Sequence, residues 1–383
     1  MKMTYIIGSG QTKFGEIWDK DLLDLAIEAA VLAIKDAEID LKDIDAVYVA
    51  NMLGSRFAGQ DHLGALVATS LGLDIPSSHV EAACASGGVA MRLGWMDILS
   101  GNSKNVLVIG AEKMTDADGS FVTTGLSGAS DEEWEASFGV TFPSLYAMIA
   151  REHMNKYGTP REALSQVAVK NHKHASMNEY AQFPKEITLE MALNATMVAD
   201  PLNLMDCSPI SDGAAAIILS SEKKSKVKLI ASAQAQDTLA LHDRKDITIL
   251  EATKKAGDRA FDSSGIDRKD IGIMEVHDCF TIAEICAYED LGFIEKGKGF
   301  ELIESGKTYF DSEFPVNTSG GLKAAGHPVG ATGIKQVIEI VKQLSGEAGK
   351  RQIKKEAKYG LAHNVGGSGA TAVVSIFELA SRS

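Results

Sequence analysis

The chain has 383 residues, and 52 acidic against 38 basic side chains give it a net charge of −14. This balance argues against non-specific binding to nucleic acid or to an anionic membrane surface. Four cysteines without a Cys-x-x-Cys pair argue against a zinc ribbon or a disulfide framework. A composition of 45% hydrophobic and 23% charged residues is typical of a globular protein with room for two domains.

The N-terminal residues enter a strand directly at Tyr5-Ile6-Ile7, without the pattern of a signal peptide. No apolar run reaches membrane-spanning length, so we expect a cytoplasmic protein. Gly8-x-Gly10 after this strand resembles the start of a dinucleotide fingerprint. The third glycine position holds Lys13 and no helix opens there, which argues against a Rossmann site.

Strands and helices then alternate along the first half of the chain. Apolar periodicity predicts helices over 21–39 and 61–71, buried strands over 46–50 and 105–110, and a closing strand over 212–219. This alternation predicts a mainly parallel sheet with helices on its faces. It stops between about 115 and 200, where helices are predicted near 145–157 and 161–176. An insertion of this length is usually functional.

The insertion carries a local excess of positive charge. Between Arg151 and Lys185, six Lys or Arg stand against three Glu, before three histidines are counted. Such a surface on an acidic protein can bind phosphates. An ordinary solvated helical face is the equally weighted alternative.

The second half of the chain repeats the first. Three segments recur in the same order: 39–44 at 266–271, 84–88 at 317–321, and 213–218 at 369–374. These echoes indicate a tandem duplication into two β/α domains related by a pseudo-twofold axis. We predict the domains at 1–226, with the insertion at about 115–200, and at 227–383. In such a pair, equivalent strand ends converge on one site.

Cys84 is the first candidate for a nucleophile. It lies between a strand and a predicted helix, where N–H groups and the helix dipole are expected to lower the pKa of its thiol and to stabilise a negative oxygen. A small buried cysteine in a glycine-rich turn is the alternative. Three downstream blocks favour catalysis: His-Asp-Cys-Phe at 277–280, Gly-His-Pro-Val-Gly at 326–330, and His-Asn-Val-Gly-Gly-Ser-Gly at 363–369.

These blocks resemble the thiolase superfamily over essentially the whole chain. The Gly-His-Pro-x-Gly-Ala-Thr-Gly block at 326–333 is the strongest match, supported by the Asp-Gly-Ala-Ala-Ala strand at 212–216. Most thiolases carry Asn-Glu-Ala-Phe at the position of 277–280 and a catalytic Cys-x-Gly at the position of 363–367. Both departures are similar to sterol-carrier-protein-type thiolases and to archaeal acetoacetyl-CoA thiolases, in which the second catalytic cysteine lies in the His-Asp-Cys-Phe block. The short chain, without a sterol-carrier domain, leads us to expect the archaeal type.

The resemblance implies a fold and a reaction. The fold is two duplicated βαβαβαββ halves packed as a five-layer αβαβα sandwich, with the insertion as a loop domain in the first half. The reaction is the reversible Claisen condensation of two acetyl-CoA to acetoacetyl-CoA and CoA through an acetyl-Cys84 intermediate. Coenzyme A is then substrate and carrier, and no metal or redox cofactor is implied.

The resemblance also implies a role for each site residue. Cys84 is the nucleophile, His327 removes its proton, and Cys279 exchanges the proton of the acetyl α-carbon. His277 and His327 hold the enolate oxygen through Nε2–H groups. The tetrahedral oxyanion is held by backbone N–H groups of Cys84 and of the Val365, Gly366 and Gly367 loop, with Asn364 and His363 in supporting positions and without the usual acid/base role.

Each of these residues also has an ordinary structural alternative. His277 could cap the helix predicted near Thr281, and Cys279 could fill the core beside Phe280. His363 and Asn364 could be satisfied polar residues of a loop at a strand end. Cys286 is predicted to be core. Cys207 lies in a turn before a strand, and we assign it no chemistry.

The resemblance implies partners as well. We expect a homodimer or homotetramer, and a complex with 3-hydroxy-3-methylglutaryl-CoA synthase and a small zinc-ribbon/OB-fold protein in the mevalonate pathway. A thiolase of longer or branched 3-ketoacyl-CoA is one alternative, and a non-catalytic acyl-CoA-binding scaffold subunit is another. The synthase itself, or a ketoacyl synthase, fits less well because neither is expected to carry Cys279 in a His-Asp-Cys-Phe block.

Overall fold

The computed structural model describes residues 2–380; Met1 and the last three residues of the predicted second domain lie outside the described residues. The strands are β1 (Thr4–Gln11), β2 (Ala46–Ala50), β3 (Ser77–Val80), β4 (Asn105–Glu112), β5 (Met197–Ala199), β6 (Leu202–Asn203), β7 (Gly213–Ser220), β8 (Val227–Gln236), β9 (Ile271–Glu275), β10 (Tyr359–Gly366) and β11 (Thr371–Leu379). The helices are α1 (Leu22–Ala37), α2 (Leu63–Ser70), α3 (Ser86–Ser100), α4 (Gly119–Ser127), α5 (Phe142–Tyr157), α6 (Arg161–Ala175), α7 (Leu189–Leu193), α8 (Glu251–Ser264), α9 (Thr281–Asp290), α10 (Gly299–Glu304), α11 (Gly321–Ala325) and α12 (Val329–Ser345).

Nine strands form one sheet in the order β3-β2-β4-β7-β1-β8-β11-β10-β9, and β5 and β6 form a small separate sheet. The order is symmetric about the contact between β1 and β8, where Tyr5 is paired with Lys228. This symmetry agrees with the duplication that the repeated segments indicate. In the second half the counterpart of β3 is reduced to one parallel bridge between Val316 and Met274.

The prediction of a mainly parallel sheet is wrong for its centre. Within residues 2–380, parallel pairing in the large sheet is confined to β3-β2-β4 and to β9-β10. The remaining neighbours pair antiparallel. The reason is that β4 and β7 form a hairpin whose connection is the long insertion, with Glu112 opposite Gly213. β10 and β11 form the equivalent hairpin with a short connection, and hairpin strands run antiparallel.

Two helices lie between the two halves of the sheet. α3 and α12 pack against each other and against strands of both halves, and their apolar side chains share one core that includes Met91, Ile334 and Val337. On the outer faces, α1 and α2 cover the first half and α8 and α9 cover the second. The layer order is therefore the five-layer αβαβα sandwich that the resemblance predicts.

Local signals set the ends of the helices close to where the sequence predicts them. The side chain of Asp21 accepts the backbone N–H of Asp24 at 2.8 Å and begins α1, and Glu38 ends it in the left-handed region with φ 49°. The predicted helix over 161–176 is observed as α6, which packs with α9 and α11 over the second half. No helix among residues 2–380 combines the length and apolar character needed to span a bilayer.

Candidate active site

Cys84 lies in the turn between β3 and α3, as predicted. Ala83 takes a φ of 51°, which residues with a β-carbon rarely adopt, and this turns the chain sharply before the helix. The hydroxyl of Ser86 stabilises the turn, because it accepts the N–H of Ala82 at 2.9 Å and donates to the carbonyl of Ala83 at 2.5 Å. Cys84 is half-buried and lines a cavity.

The cavity around Cys84 has a volume of about 200 Å³ and a mainly apolar wall. Cys84, Cys279, His327 and Gly367 all line it, although they lie far apart in the chain. Apolar side chains come from the insertion, from the loop before β7 and from the start of α12; they include Leu126, Phe142, Ile210 and Val329. The structure therefore brings the predicted nucleophile, base and second cysteine to one cavity.

A chain of hydrogen bonds fixes the proton of His277. The side-chain oxygen of Asn364 accepts the N–H of Gly88 at 3.0 Å, so its nitrogen must donate. That nitrogen donates to the carbonyl of Cys84 at 2.9 Å and lies 3.3 Å from Nδ1 of His277. Nδ1 is then the acceptor and Nε2 carries the hydrogen. The Nε2 atom of His277 is buried and has no hydrogen-bond partner among residues 2–380.

His327 has the opposite arrangement. The hydroxyl of Thr332 donates to the carbonyl of Pro328 at 3.0 Å, so it accepts a hydrogen from Nδ1 of His327 at 2.7 Å. Nε2 of His327 therefore keeps its lone pair, as a base needs. The two imidazole rings stand edge to face with centroids 5.2 Å apart. Burial lowers the pKa of His327 to about 3 and that of His277 well below its usual value, so both rings are neutral.

The expected lowering of the pKa of Cys84 is wrong. Burial of the thiol raises its pKa to about 12, with a further increase from the carboxylates of Glu112 and Glu81. Hydrogen bonds from the backbone N–H groups of Gly367 and Cys84 act in the opposite direction but do not outweigh burial. The start of α3 thus provides N–H donors, but the buried thiol is too poorly solvated to rest as a thiolate.

Cys279 is almost fully buried in the cavity wall. Burial raises the pKa of its thiol well above the usual value, although the neighbouring hydroxyl of Tyr146 acts to lower it. The ring of Tyr146 stacks on Phe280 with centroids 4.6 Å apart, and its hydroxyl donates to the carbonyl of Gly367 at 3.0 Å. Tyr146 therefore links the second cysteine to the loop that follows β10.

The glycine loop after β10 approaches the Cys84 turn closely. A β-carbon on Gly366 would lie 2.5 Å from the carbonyl oxygen of Ala82, so only glycine fits there. Gly367 has a φ of 62°, and its N–H acts to lower the pKa of the Cys84 thiol. Val365 is buried in the outer core of the second half. The N–H groups of Cys84 and Gly367 thus both favour negative charge at the Cys84 sulfur.

The structure does not bring the His363 ring into this cavity. Successive residues of a strand point to opposite faces, and His363 points away from Asn364 toward α8. Its Nε2 lies 2.9 Å from the hydroxyl of Thr253. Cys286 is fully buried, as predicted for a core residue. Cys207 does line the cavity, which its position in a turn gave no reason to expect.

The phosphate-binding interpretation of the basic insertion loses most of its support. Four of its six cations pair with carboxylates: Arg151 with Asp200, Lys156 with Asp246, Arg161 with Asp206 and Lys170 with Glu284. The histidines at 153, 172 and 174 are buried. These charges are therefore largely compensated within the fold. The pairing is not visible in the sequence, because the acidic partners lie far away along the chain.

The three donor atoms of Cys84, His277 and His327 lie within 4.8 Å of one another, a spacing that could hold a metal ion. The hydrogen bonds favour a different occupant. Nε2 of His277 carries a proton as long as Asn364 donates to Nδ1, and a protonated nitrogen cannot ligate a cation. It can donate to an anion, and a free buried N–H beside a cysteine is suited to a carbonyl oxygen that becomes negative.

Several residues of the site were missed by the sequence analysis. Tyr146 lies on the buried face of a predicted helix and looks like any core aromatic residue. Glu112, fully buried, accepts the N–H groups of Met52, Leu53 and Gly330, and so ties the start of α12 to the first half. Thr332 could have been found, because it belongs to the Gly-Ala-Thr-Gly block.

Comparison with known proteins agrees with this geometry. A family model described as "Thiolase, N-terminal domain" matches residues 3–223, and one described as "Thiolase C-terminal domain-like" matches residues 233–379. The chain is similar to the acetyl-CoA acetyltransferase of Methanothermobacter thermautotrophicus, with 53% identity covering 98% of this chain and all of that protein. It is 49% identical to that of Methanocaldococcus jannaschii, covering 98% and 99% of the two chains.

More distant similarities extend the same comparison. Sterol carrier protein 2 of Bos taurus is 34% identical over 98% of this chain and 72% of its own length. A solved structure described as "Ltp2-ChsH2(DUF35) aldolase" has a TM-score of 0.84 at 24% identity, covering 99% of this chain and 98% of that chain, which shows a shared fold. The resemblance predicted from the motifs is confirmed, and the chain belongs to the thiolase family.

Proposed function

We propose that this protein is an acetyl-CoA acetyltransferase that interconverts two acetyl-CoA with acetoacetyl-CoA and CoA. The observation that carries the proposal is the pair of histidines at Cys84: one with a free Nε2–H and one with a free Nε2 lone pair. The archaeal relatives at 53% and 49% identity bear that name.

Thiolysis begins from the neutral state that the raised thiol pKa values indicate. The proton of Cys84 moves to Nε2 of His327, and the sulfur forms a bond to C3 of acetoacetyl-CoA. The N–H groups of Cys84 and Gly367 stabilise the resulting alkoxide. His327 now carries Nε2–H and becomes a second donor beside His277.

The C2–C3 bond then breaks, leaving an acetyl group on Cys84 and the enolate of acetyl-CoA. The enolate oxygen accepts the Nε2–H groups of His277 and His327, and C2 takes the proton of Cys279. After acetyl-CoA leaves, CoA gives its proton to the Cys279 thiolate. The sulfur of CoA attacks the acetyl group on Cys84, and Cys84 recovers its proton from His327. Condensation is the same sequence in reverse.

The wider setting is also part of the proposal. We propose that the condensation product supplies 3-hydroxy-3-methylglutaryl-CoA synthase in the mevalonate pathway, in the cytoplasm. A complex with that synthase and a zinc-ribbon/OB-fold protein, and a dimer or tetramer of this chain, are parts of the same expectation. Co-purification of the native protein would detect such partners, and repeated recovery of this chain alone would count against the complex.

The deciding experiment measures CoA-dependent thiolysis of acetoacetyl-CoA by the purified protein beside Cys84→Ala and Cys279→Ala. We expect activity in the native protein and loss in both variants. Mass spectrometry with acetyl-CoA should show acetylation of Cys84 in the native protein and in Cys279→Ala. Full activity of Cys279→Ala would remove Cys279 as the acid/base residue. An inactive native protein that takes no acetyl group would favour a scaffold subunit.

A further inference from the structure

The loop that carries His277 and Cys279 is held by a buried network that no role above uses. Asp278 lies between these two residues and is fully buried. Its carboxylate accepts the backbone N–H of Leu322 at 2.7 Å and that of Lys323 at 3.2 Å. α11 contains both donors and ends two residues before His327. Asp278 therefore joins the His-Asp-Cys-Phe loop to the segment that leads into the Gly-His-Pro turn.

The close fit of this joint is visible at Gly321. Gly321 has a φ of 62°, and a β-carbon there would lie 2.2 Å from the carboxylate oxygen of Asp278. The chain therefore brings its backbone against this carboxylate at a position where only glycine fits. This close approach of the backbone fixes the distance between the His-Asp-Cys-Phe loop and the segment that leads to His327.

The same carboxylate is held from the other side by the insertion. The side-chain nitrogen of Asn171, on α6, donates to Asp278 at 2.7 Å and to Glu284 at 2.9 Å. All three side chains are fully buried. Without the amide between them, two carboxylates would face each other, which is unfavourable in a buried site.

Glu284 fixes this arrangement on the far side. It pairs with Lys170 of α6 and accepts the hydroxyl of Tyr288. Its other oxygen accepts the amide of Asn317 at 2.6 Å, and Asn317 in turn accepts the N–H of Val276 at 2.8 Å. Val276 immediately precedes His277, so the network holds the catalytic loop on both sides of that histidine.

We infer that Asn171 is a positioning residue, which acts through Asp278 to set His277 and Cys279 against His327. The inference rests on the proposed function, and it makes a prediction specific to one half of the reaction. Acetylation of Cys84 depends on Cys84 and His327; Cys279 gives a proton only to the departing CoA thiolate, a step in which water can replace it. Removal of the α-proton and carbon–carbon bond formation also need His277 and Cys279, so Asn171 matters for that half.

The test compares two rates in Asn171→Ala. Exchange of labelled CoA into acetyl-CoA reports acetylation of Cys84, and incorporation of solvent deuterium into the acetyl methyl group reports α-proton removal. We expect deuterium incorporation and condensation to fall about ten- to hundredfold, the range for a displaced catalytic group, with CoA exchange nearly unchanged. Asn155→Ala, at an exposed asparagine of α5, is the matched control and should change neither rate.

A double-mutant cycle with Asp278→Asn tests whether the two residues act as a unit. The rate of deuterium incorporation in Asn171→Ala/Asp278→Asn should be no lower than in the more damaging single variant, whereas independent effects would multiply. If Asn171→Ala is insoluble, the two rates of the isosteric Asp278→Asn decide the question. An equal fall in both rates, or no change in either, would overturn the inference. A native protein without CoA exchange or thiolysis would instead remove the proposed function.

Discussion

The amide of Asn364 connects the backbone of α3 to the imidazole of His277. Its oxygen accepts the N–H of Gly88, and its nitrogen therefore points at Nδ1 of His277, 3.3 Å away. A helix of the first half thus determines which nitrogen of a second-half histidine carries the proton. The donor that we propose for the enolate oxygen is therefore set before any substrate arrives, as preorganised catalysis requires.

Asn364→Asp should test this control of the tautomer. The carboxylate can still accept from Gly88, but it can only accept from His277, so the proton moves to Nδ1 and Nε2 loses its role as donor. We expect kcat for acetoacetyl-CoA thiolysis to fall by about a hundredfold or more. Asn194→Asp, at an exposed position, is the control. Retention of full activity in Asn364→Asp would mean that His277 does not act as this donor.

The pH dependence of Cys84 alkylation should follow its raised pKa. With a pKa of about 12, the thiolate fraction rises about tenfold per pH unit across the accessible range and does not level off near neutrality. We expect the rate of iodoacetamide labelling of Cys84, followed by peptide mass spectrometry, to increase steadily from pH 6 to about pH 10. A plateau near pH 7 would indicate a resting thiolate–imidazolium pair with His327 and would contradict the neutral state.

Gly366→Ala should damage the site through sterics alone. The new methyl group would meet the backbone carbonyl of Ala82 at 2.5 Å, and neither backbone segment can move without displacing Cys84 or Gly367. We expect a loss of about 1–3 kcal/mol in the free energy of unfolding and a large loss of thiolysis. Gly119→Ala is the matched control, because a β-carbon there meets no atom within 4 Å. Equal stability and activity of the two variants would show that the loops separate easily.

Breaking the ion pair between Lys170 and Glu284 should lower the free energy of unfolding much more than breaking a surface pair. Both side chains are fully buried, so Lys170→Met leaves the carboxylate of Glu284 in the interior without its counter-ion, held only by neutral donors. We expect a loss of about 3–5 kcal/mol in urea unfolding. Lys156→Met removes the partly exposed pair with Asp246 and should cost less than about 1 kcal/mol. Similar losses in the two variants would argue that the neutral donors around Glu284 are enough to stabilise its charge.

Much of the fold and the centre of the site could be predicted from the sequence. The strand at 46–50 and the helix at 161–176 follow from local periodicity. The grouping of Cys84 with His277, Cys279 and His327 follows from the duplication combined with the family resemblance. These predictions succeed because repeated segments and compact motifs carry their information within a few residues.

The predictions that failed depend on partners far away in the chain. The cations of the insertion looked free, because no local pattern indicates that Arg161 meets Asp206 or that Lys170 meets Glu284. The pKa of Cys84 was predicted from its helix, whereas its value depends on how many other segments cover it. Tyr146 and Asn171 were missed for the same reason, since burial and hydrogen bonding join them to residues more than a hundred positions away.

The two hairpins β4–β7 and β10–β11 are equivalent in the duplicated fold but have connections of very different length. The long one supplies Tyr146 and the short one supplies Gly367, and the two residues meet in a hydrogen bond of 3.0 Å beside Cys84. Because Glu112 and Gly213 are neighbours at its two ends, the long connection can change in length or shape at little cost to the sheet. One copy is therefore free to diversify around the cavity, while the other keeps the backbone beside Cys84 constant.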